Sequence, residues 1–279
     1  KLLPCAVKQY AIENNIPTLE PKSLKQENES IYRFMQEKPV LFHVVLAYGK
    51  IIPLELIESA PKKAVNWHAS LLPKLRGAAP IEYALLQDLS ETGWSLQQIT
   101  QKLDAGDVYK TLKVSIHYSD TRDSLAEKLI QCLEKEGANA LVEYANGNLK
   151  PSPQKEEEAT YSHKINPEMS AISWEMPAQE IRNRARALSE KPGIFIRFQQ
   201  GKYAGKKLKL FLKFSIPPDD WEQAKLPAGS IQKIEKDVLW VCARDACIPL
   251  EKLQWEGKKA LLIADFLNGY SFQPGDTLI

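Results

Sequence analysis

The stretch Val65-Asn66-Trp67-His68-Ala69-Ser70-Leu71-Leu72-Pro73-Lys74-Leu75-Arg76-Gly77-Ala78-Ala79-Pro80 decides how the chain is read. It opens as a short strand over Ala64 to His68, turns through Ser70 and Pro73, and enters a helix over Ala79 to Gln87. Side chains alternate along a strand, so Asn66 and His68, two residues apart, leave it on one face. Open α/β sheets place ligands beyond the C-terminal ends of their strands, where this pair falls.

An amide donor beside an imidazole suits acyl or formyl transfer. Attack on a formyl carbon builds a tetrahedral centre with a negative oxygen. A fixed Asn N–H and a protonated His both stabilise that charge. The histidine can also relay the proton the attacking amine must lose. Such a histidine needs a carboxylate to orient it and favour its charged form. The candidate is Asp104, in Leu103-Asp104-Ala105-Gly106-Asp107, where the glycine permits a tight turn back over the strand end. Taken alone, the triplet is a weak signal and Asp104 also reads as a plain turn residue. His43, His117 and His163 lack comparable surroundings and read as structural.

Outward from this stretch the first half alternates helix and strand patterns. Helices are expected over Val7–Asn14, Gln26–Glu37 and Pro53–Ser59. Val40 to Ala47 reads as a strand buried on both faces, because almost nothing polar interrupts it. Ser95–Gln101 and Asp107–Ile116 look extended, and Ser124–Asn146 is a long amphipathic helix. The alternation argues an α/β sheet. Asn146 to Thr160, with Gly147, Pro151, Pro153 and Glu156 to Glu158, reads as a surface linker. The second half holds one helix, about Ala178–Leu188. Short strands follow over Phe195–Phe198, Lys207–Phe214, Gly229–Glu235, Val238–Ala243 and Cys247–Trp255. That spacing predicts a small β-barrel. The expected division is a catalytic domain over 1–147, a linker over 148–166 and a β-barrel domain over 167–279.

A length of 279 residues suits two domains, and 44% hydrophobic with 26% charged residues is ordinary for a globular protein. No apolar run is long enough for a membrane helix. Cys5, Cys132, Cys242 and Cys247 form no CxxC pair, so no zinc site is expected. The net charge of +2 names no partner, but its distribution does. From Arg182 to Lys213 the bases are Arg182, Arg184, Arg186, Lys191, Arg197, Lys202, Lys206, Lys207, Lys209 and Lys213, against the single acid Glu190. That is an electrostatic footprint for an anion such as nucleic acid. Phe195, Phe198, Tyr203, Phe211 and Phe214, interleaved with these bases, read as core more than as base-stacking platforms.

Asn66-x-His68 with Ser70-Leu71-Leu72-Pro73 and Arg76-Gly77-Ala78-Ala79-Pro80 resembles the signature of the folate-dependent formyltransferases, most closely their methionyl-tRNA branch. Leu103-Asp104-Ala105-Gly106-Asp107 is similar to the family's catalytic aspartate loop. Thr160-Tyr161-x-x-Lys164-Ile165, Gly257-Lys258-Lys259 and Phe266-Leu267-Asn268-Gly269-Tyr270 carry the likeness to the end of the chain; Lys191-Pro192-Gly193 stands where the family often has Trp-Pro-Gly.

The resemblance implies a Rossmann-like catalytic domain, an OB-like barrel behind it, and a triad of Asn66, His68 and Asp104. It implies a 10-formyltetrahydrofolate site at Ser70, Leu71, Leu72 and Pro73 with Tyr48 and Gly49. It also implies contact of initiator methionyl-tRNA with the basic residues, of which Arg76, Arg182, Arg186, Lys202, Lys206, Lys207 and Lys209 are the candidates. No metal and no membrane are expected, and a cytoplasmic monomer of bacterial type is. The family begins with a strand–helix–strand unit and a basic loop, whose tail Lys1-Leu2-Leu3-Pro4 resembles; the expectation is that this unit is missing here. An amino-sugar formyltransferase and an inactive RNA-binding module are the alternatives.

Overall fold

The computed structural model describes residues 4–25, 28–37, 39–189, 191–198 and 204–278. Lys1, Leu2, Leu3, the Gln26 start of the second expected helix, Glu190, Lys202 and Tyr203 lie outside the described residues.

The first unit contains strands β1 (Val44–Leu46), β2 (Val65–His68), β3 (Arg76–Gly77), β4 (Glu91–Gln98) and β5 (Val108–Ser115). Its helices are α1 (Ala6–Glu13), α2 (Asn28–Glu37), α3 (Leu54–Ile57), α4 (Pro80–Leu86) and α5 (Arg122–Ala145). Four strands form one sheet in the order β1-β2-β4-β5. The β1–β2 pair is parallel, while β2–β4 and β4–β5 are antiparallel. Alternation divides this sheet cleanly. Trp67, Trp94, Leu96 and Leu112 pack with Leu125 and Leu129 of α5 in one core. Asn66, His68, Ser95 and Gln97 take the opposite face. The helix that covers the core begins with a reciprocal cap: Ser124 N donates to Thr121 Oγ1 and Thr121 N donates to Ser124 Oγ.

The run Val40 to Ala47 departs from expectation. Only three of its residues form β1, and Val44 and Leu46 are exposed rather than buried. Among the described residues β1 has a strand partner on one side only, so apolar content alone did not secure burial.

The second unit holds α6 (Ala178–Leu188), strands β7 (Ile194–Arg197), β8 (Lys207–Leu212), β9 (Ile231–Glu235), β10 (Val238–Cys242), β11 (Cys247–Trp255) and β12 (Leu261–Leu262), and helix α7 (Ile263–Gly269). They form an antiparallel sheet in the order β7-β8-β11-β10-β9, with β12 on β11. Its two edge strands, β7 and β9, do not pair with each other among the described residues. Ile181, Leu188, Ile196, Leu208, Leu210, Leu250 and Phe266 share its core. In β8 the leucines 208, 210 and 212 are buried and the residues between them are half-buried, as the Lys-Leu-Lys-Leu alternation predicts.

The segment read as a surface linker does more than connect. Ser152 bridges to Val108 with paired backbone hydrogen bonds of 2.9 Å. Tyr161–Ser162 forms strand β6, parallel to β3. Gly77 in β3 has φ +120°, and a Cβ there would lie 2.2 Å from the Ser162 carbonyl oxygen, so only glycine permits this pairing. Helix α6 then packs on α4 and α5, tying the second unit to the first.

Candidate active site

Asn66 and His68 stand at the C-terminal end of β2, on the face opposite the α5 core. His68 is buried, and each ring nitrogen faces an acceptor. Nε2 lies 2.9 Å from the Leu75 carbonyl oxygen, and Nδ1 lies 3.7 Å from Asp104 Oδ2. The ring donates to both at once only when it carries two protons. Asn66 is half-buried, and its amide makes no hydrogen bond to the described residues. Sequence distance has been converted into proximity here: Asp104 reaches His68 because the β4–β5 connection folds back over the strand end.

Asp104 is held from several sides. Its Oδ2 accepts the Gly77 N–H at 2.9 Å, and its Oδ1 accepts a Gln97 Nε2–H at 2.7 Å. The Gln154 amide donates to the carbonyl oxygens of Asp104 and Gly106 at 2.9 and 2.6 Å. These contacts offset an uncommon backbone, since Asp104 itself has φ +49°. The glycine of the loop serves differently from the expectation. A Cβ on Gly106 would sit 1.9 Å from the Gln98 carbonyl oxygen, so Gly106 is needed for close approach while Asp104 takes the left-handed turn.

The expected folate turn is partly absorbed in building itself. Ser70 is buried and its hydroxyl donates to the Lys74 carbonyl. The Leu72 N–H donates to Ser95 Oγ, which donates to the Ser70 carbonyl. Leu71 and Pro73 stay half-buried and available. Tyr48 and Gly49 are exposed on the loop after β1. Because β1 and β2 run parallel, this loop and the Ser70–Pro73 turn leave the sheet at the same end. A cleft of about 270 Å3 beside β1 is lined by Tyr48, His43, Val45, Leu46 and Leu56 and takes in neither Asn66 nor His68. Burial lowers the pKa of His43, whose Nε2 lies 3.0 Å from Ser59 Oγ.

The basic candidates separate into two groups. Arg76 is 1% exposed; its guanidinium donates to Gln154 Oε1 and Glu156 Oε2, so it braces the linker against the Asp104 loop and faces no solvent. Lys102 and Arg76 together hold the Glu156 carboxyl below its usual range. Arg182 and Arg186 are 3% and 1% exposed. Arg186 donates to Asp88 at 2.9 Å and to the carbonyls of Asp120 and His117 at 2.7 and 3.0 Å. Arg182 donates to Asp88 and to the Tyr118 carbonyl. Burial lowers both arginine pKa values, with Asp88 opposing it. These three arginines are therefore corrected from nucleic-acid contacts to internal braces: the helix and turn that carry them face protein.

Lys207 and Lys209 lie instead on the outer face of β8, with Nζ atoms 4.8 Å from the Phe195 ring centre and 5.3 Å from that of Phe211. With Trp255 and Gln254 they line a cleft of about 200 Å3. Lys206 directly precedes them; Lys202 lies outside the described residues. Phe195 and Phe211 are thus half-buried under lysines, whereas Phe198 joins the core.

The sequence reading missed Gln97, Gln154 and Asp88. Gln97 was open to discovery: Ser95 and Gln97 alternate with Trp94 and Leu96 as Asn66 and His68 alternate with Val65 and Trp67. Gln154 and Asp88 carry no local signal, because their partners are 48 or more residues away. Among the described residues no group of three His, Cys, Asp or Glu side chains could hold a metal ion, and no helix is long and apolar enough to cross a membrane.

Residues 4–143 match the formyl transferase family profile, and residues 164–271 match the profile of the formyl transferase C-terminal domain. The methionyl-tRNA formyltransferase of Dictyoglomus thermophilum is 36% identical over 280 residues, covering 99% of this chain and 86% of its own. That of Bacillus subtilis is 32% identical over 278 residues, covering 99% and 84%. Among solved structures, the sugar 3N-formyltransferase WlaRD, in the presence of dTDP and 5-N-formyl-THF, has a TM-score of 0.60 at 17% identity, covering 91% of this chain and 82% of its own. HypX from Aquifex aeolicus in complex with tetrahydrofolic acid has a TM-score of 0.56 at 20% identity, covering 84% and 40%. These two share the fold. With both halves matched and relatives aligned along nearly its whole length, the chain belongs to the formyltransferase family, among the methionyl-tRNA formyltransferases.

Proposed function

We propose that the chain moves a formyl group from 10-formyltetrahydrofolate to the α-amino group of methionine on initiator tRNA, with Asn66, His68 and Asp104 as its catalytic residues. The observation that carries this reading is the unpartnered Asn66 amide next to a histidine held between Leu75 O and Asp104. HypX, which shares this fold, is in complex with tetrahydrofolic acid, and that supports folate as the formyl carrier. The donor set fits: a free amide N–H beside an imidazole is what a developing formyl oxyanion needs. In this proposal residues 1–147 catalyse, 148–166 brace, and 167–279 bind tRNA through Lys206, Lys207 and Lys209.

Bound beside Leu71, Pro73 and Tyr48, the folate supplies an electrophilic formyl carbon. The methionyl α-amine, which titrates near 8, is a competent nucleophile at neutral pH. Its nitrogen–carbon bond forms first, leaving a tetrahedral centre with a negative oxygen; collapse of that centre then breaks the bond from carbon to the folate nitrogen. Asn66 donates to the oxygen that gains charge, with the His68 ring beside it. The Asp104 carboxylate fixes the ring. The proton lost by the amine passes to the departing folate nitrogen through His68 or a water beside it. The test is His68→Ala in a formylation assay with charged initiator tRNA: turnover should fall by about a thousand-fold or more. Turnover near that of the unaltered chain would end the assignment.

A further inference from the structure

Gln97 stands next to the proposed catalytic group, and packing alone does not account for it. Its side chain is 2% exposed. It is the direct cross-strand partner of Asn66, so the two side chains leave the sheet on the same face. Its Nε2 donates to Asp104 Oδ1 at 2.7 Å, while its Oε1 is buried with no hydrogen-bond partner. A buried carbonyl oxygen left unsatisfied is unfavourable, and such groups in folded proteins call for a reason. An apolar side chain of similar length would fill the same space without that cost. What the glutamine adds is one N–H on the carboxylate.

That N–H has a specific consequence. Asp104 Oδ2 faces both the Gly77 N–H and His68 Nδ1. With Oδ1 tied to Gln97, the carboxylate cannot turn about its Cβ–Cγ bond, and Oδ2 stays directed at the imidazole. Gln97 also lies on β4, which is paired on both sides and carries one of the best-buried stretches of the sheet. The anchor is therefore a buried residue of the sheet, whereas the Asp104 loop is not part of any strand or helix.

We propose that Gln97 is a positioning residue of this site, fixing the rotation of the Asp104 carboxylate so that it orients His68. The structural half of this inference rests on geometry alone; its kinetic half rests on the formyl-transfer reading above.

The test uses the full chain with Q97M and Q97E. In the protein without substrates, amide hydrogen exchange at Gly77 reports the hold on Asp104 Oδ2. Exchange there should quicken by about tenfold in Q97M while Leu112, in the same sheet, is unchanged. In formylation assays Q97M should lower kcat by about 10- to 100-fold, with KM for folate and for tRNA within about twofold. Q97E sets two carboxylates side by side, so one of their protons is held to higher pH. Its acid limb of kcat/KM should then move upward by about one pH unit, a change that a loss of packing would not produce. Unchanged Gly77 exchange in Q97M overturns the inference. So does Q97M with undiminished kcat, or a Q97E pH profile that superimposes on the original. Quickened Gly77 exchange in a chain that transfers no formyl group upholds the structural half and indicts the functional reading instead.

Discussion

Helix α6 and strand β8 come from one basic stretch of sequence and meet opposite fates. Arg182 and Arg186 of α6 are withdrawn from water and hold the two units together through Asp88 and three backbone carbonyls. Lys207 and Lys209 of β8 remain on an outer face over aromatic rings. The residue types suit their places. A guanidinium offers a planar fork of donors that several fixed acceptors can satisfy, so it tolerates burial. An ammonium is compact and strongly hydrated, and its stem lies along apolar surface while its head stays wet. Positive charge in a sequence is therefore a poor guide to partners until it is known which element carries it.

The largest effect expected from breaking this contrast is at Arg186. Arg186→Ala leaves the carbonyls of Asp120 and His117 without their donor and Asp88 without its buried partner, and should cost about 3 kcal/mol in urea unfolding. Arg186→Lys should recover less than half of that loss, because charge without the fork cannot reach all three acceptors. Turnover per folded molecule should hold in both variants at low temperature. A fully stable Arg186→Lys would show that charge, not geometry, secures the junction.

On the other side of the contrast, the K207A/K209A double variant should leave the unfolding midpoint nearly unchanged and weaken tRNA binding by about tenfold at low salt. The slope of log affinity against log salt should fall by up to about two. A normal slope would take these lysines out of the tRNA face.

The smallest effect expected is the acid response of the same junction. Burial acts to raise the Asp120 pKa, but the Lys128 ammonium, the His117 N–H and the Ser124 hydroxyl outweigh it, so the folded value lies below the ordinary one. The stability this group adds is present above the unfolded pKa near 4 and disappears as pH falls through the lower folded value. Unfolding followed from pH 6 downward should reveal a small loss of stability that Asp120→Asn removes.

Local pattern makes much of the molecule legible in its sequence. The alternation Val65-Asn66-Trp67-His68 placed the amide and imidazole on one face, and the buried leucines of β8 followed from Lys-Leu-Lys-Leu. Both are consequences of a two-residue repeat, which neighbouring residues impose on each other. Val40 to Ala47 misled for the converse reason: burial belongs to the neighbours a strand finds, and among the described residues β1 has one strand partner.

By itself, then, the sequence determined the order of elements, the division of their faces and the chemical character of the Asn66–His68 motif, because each is set within a few residues. The tertiary structure alone decided that Gln154 reaches Asp104, that Arg76, Arg182 and Arg186 turn inward, and that residues 152–162 return to β3 and β5. Those outcomes depend on hydrogen bonds between groups far apart in the chain. Nothing in either partner's local sequence specifies the other, since only folding brings a donor to its acceptor.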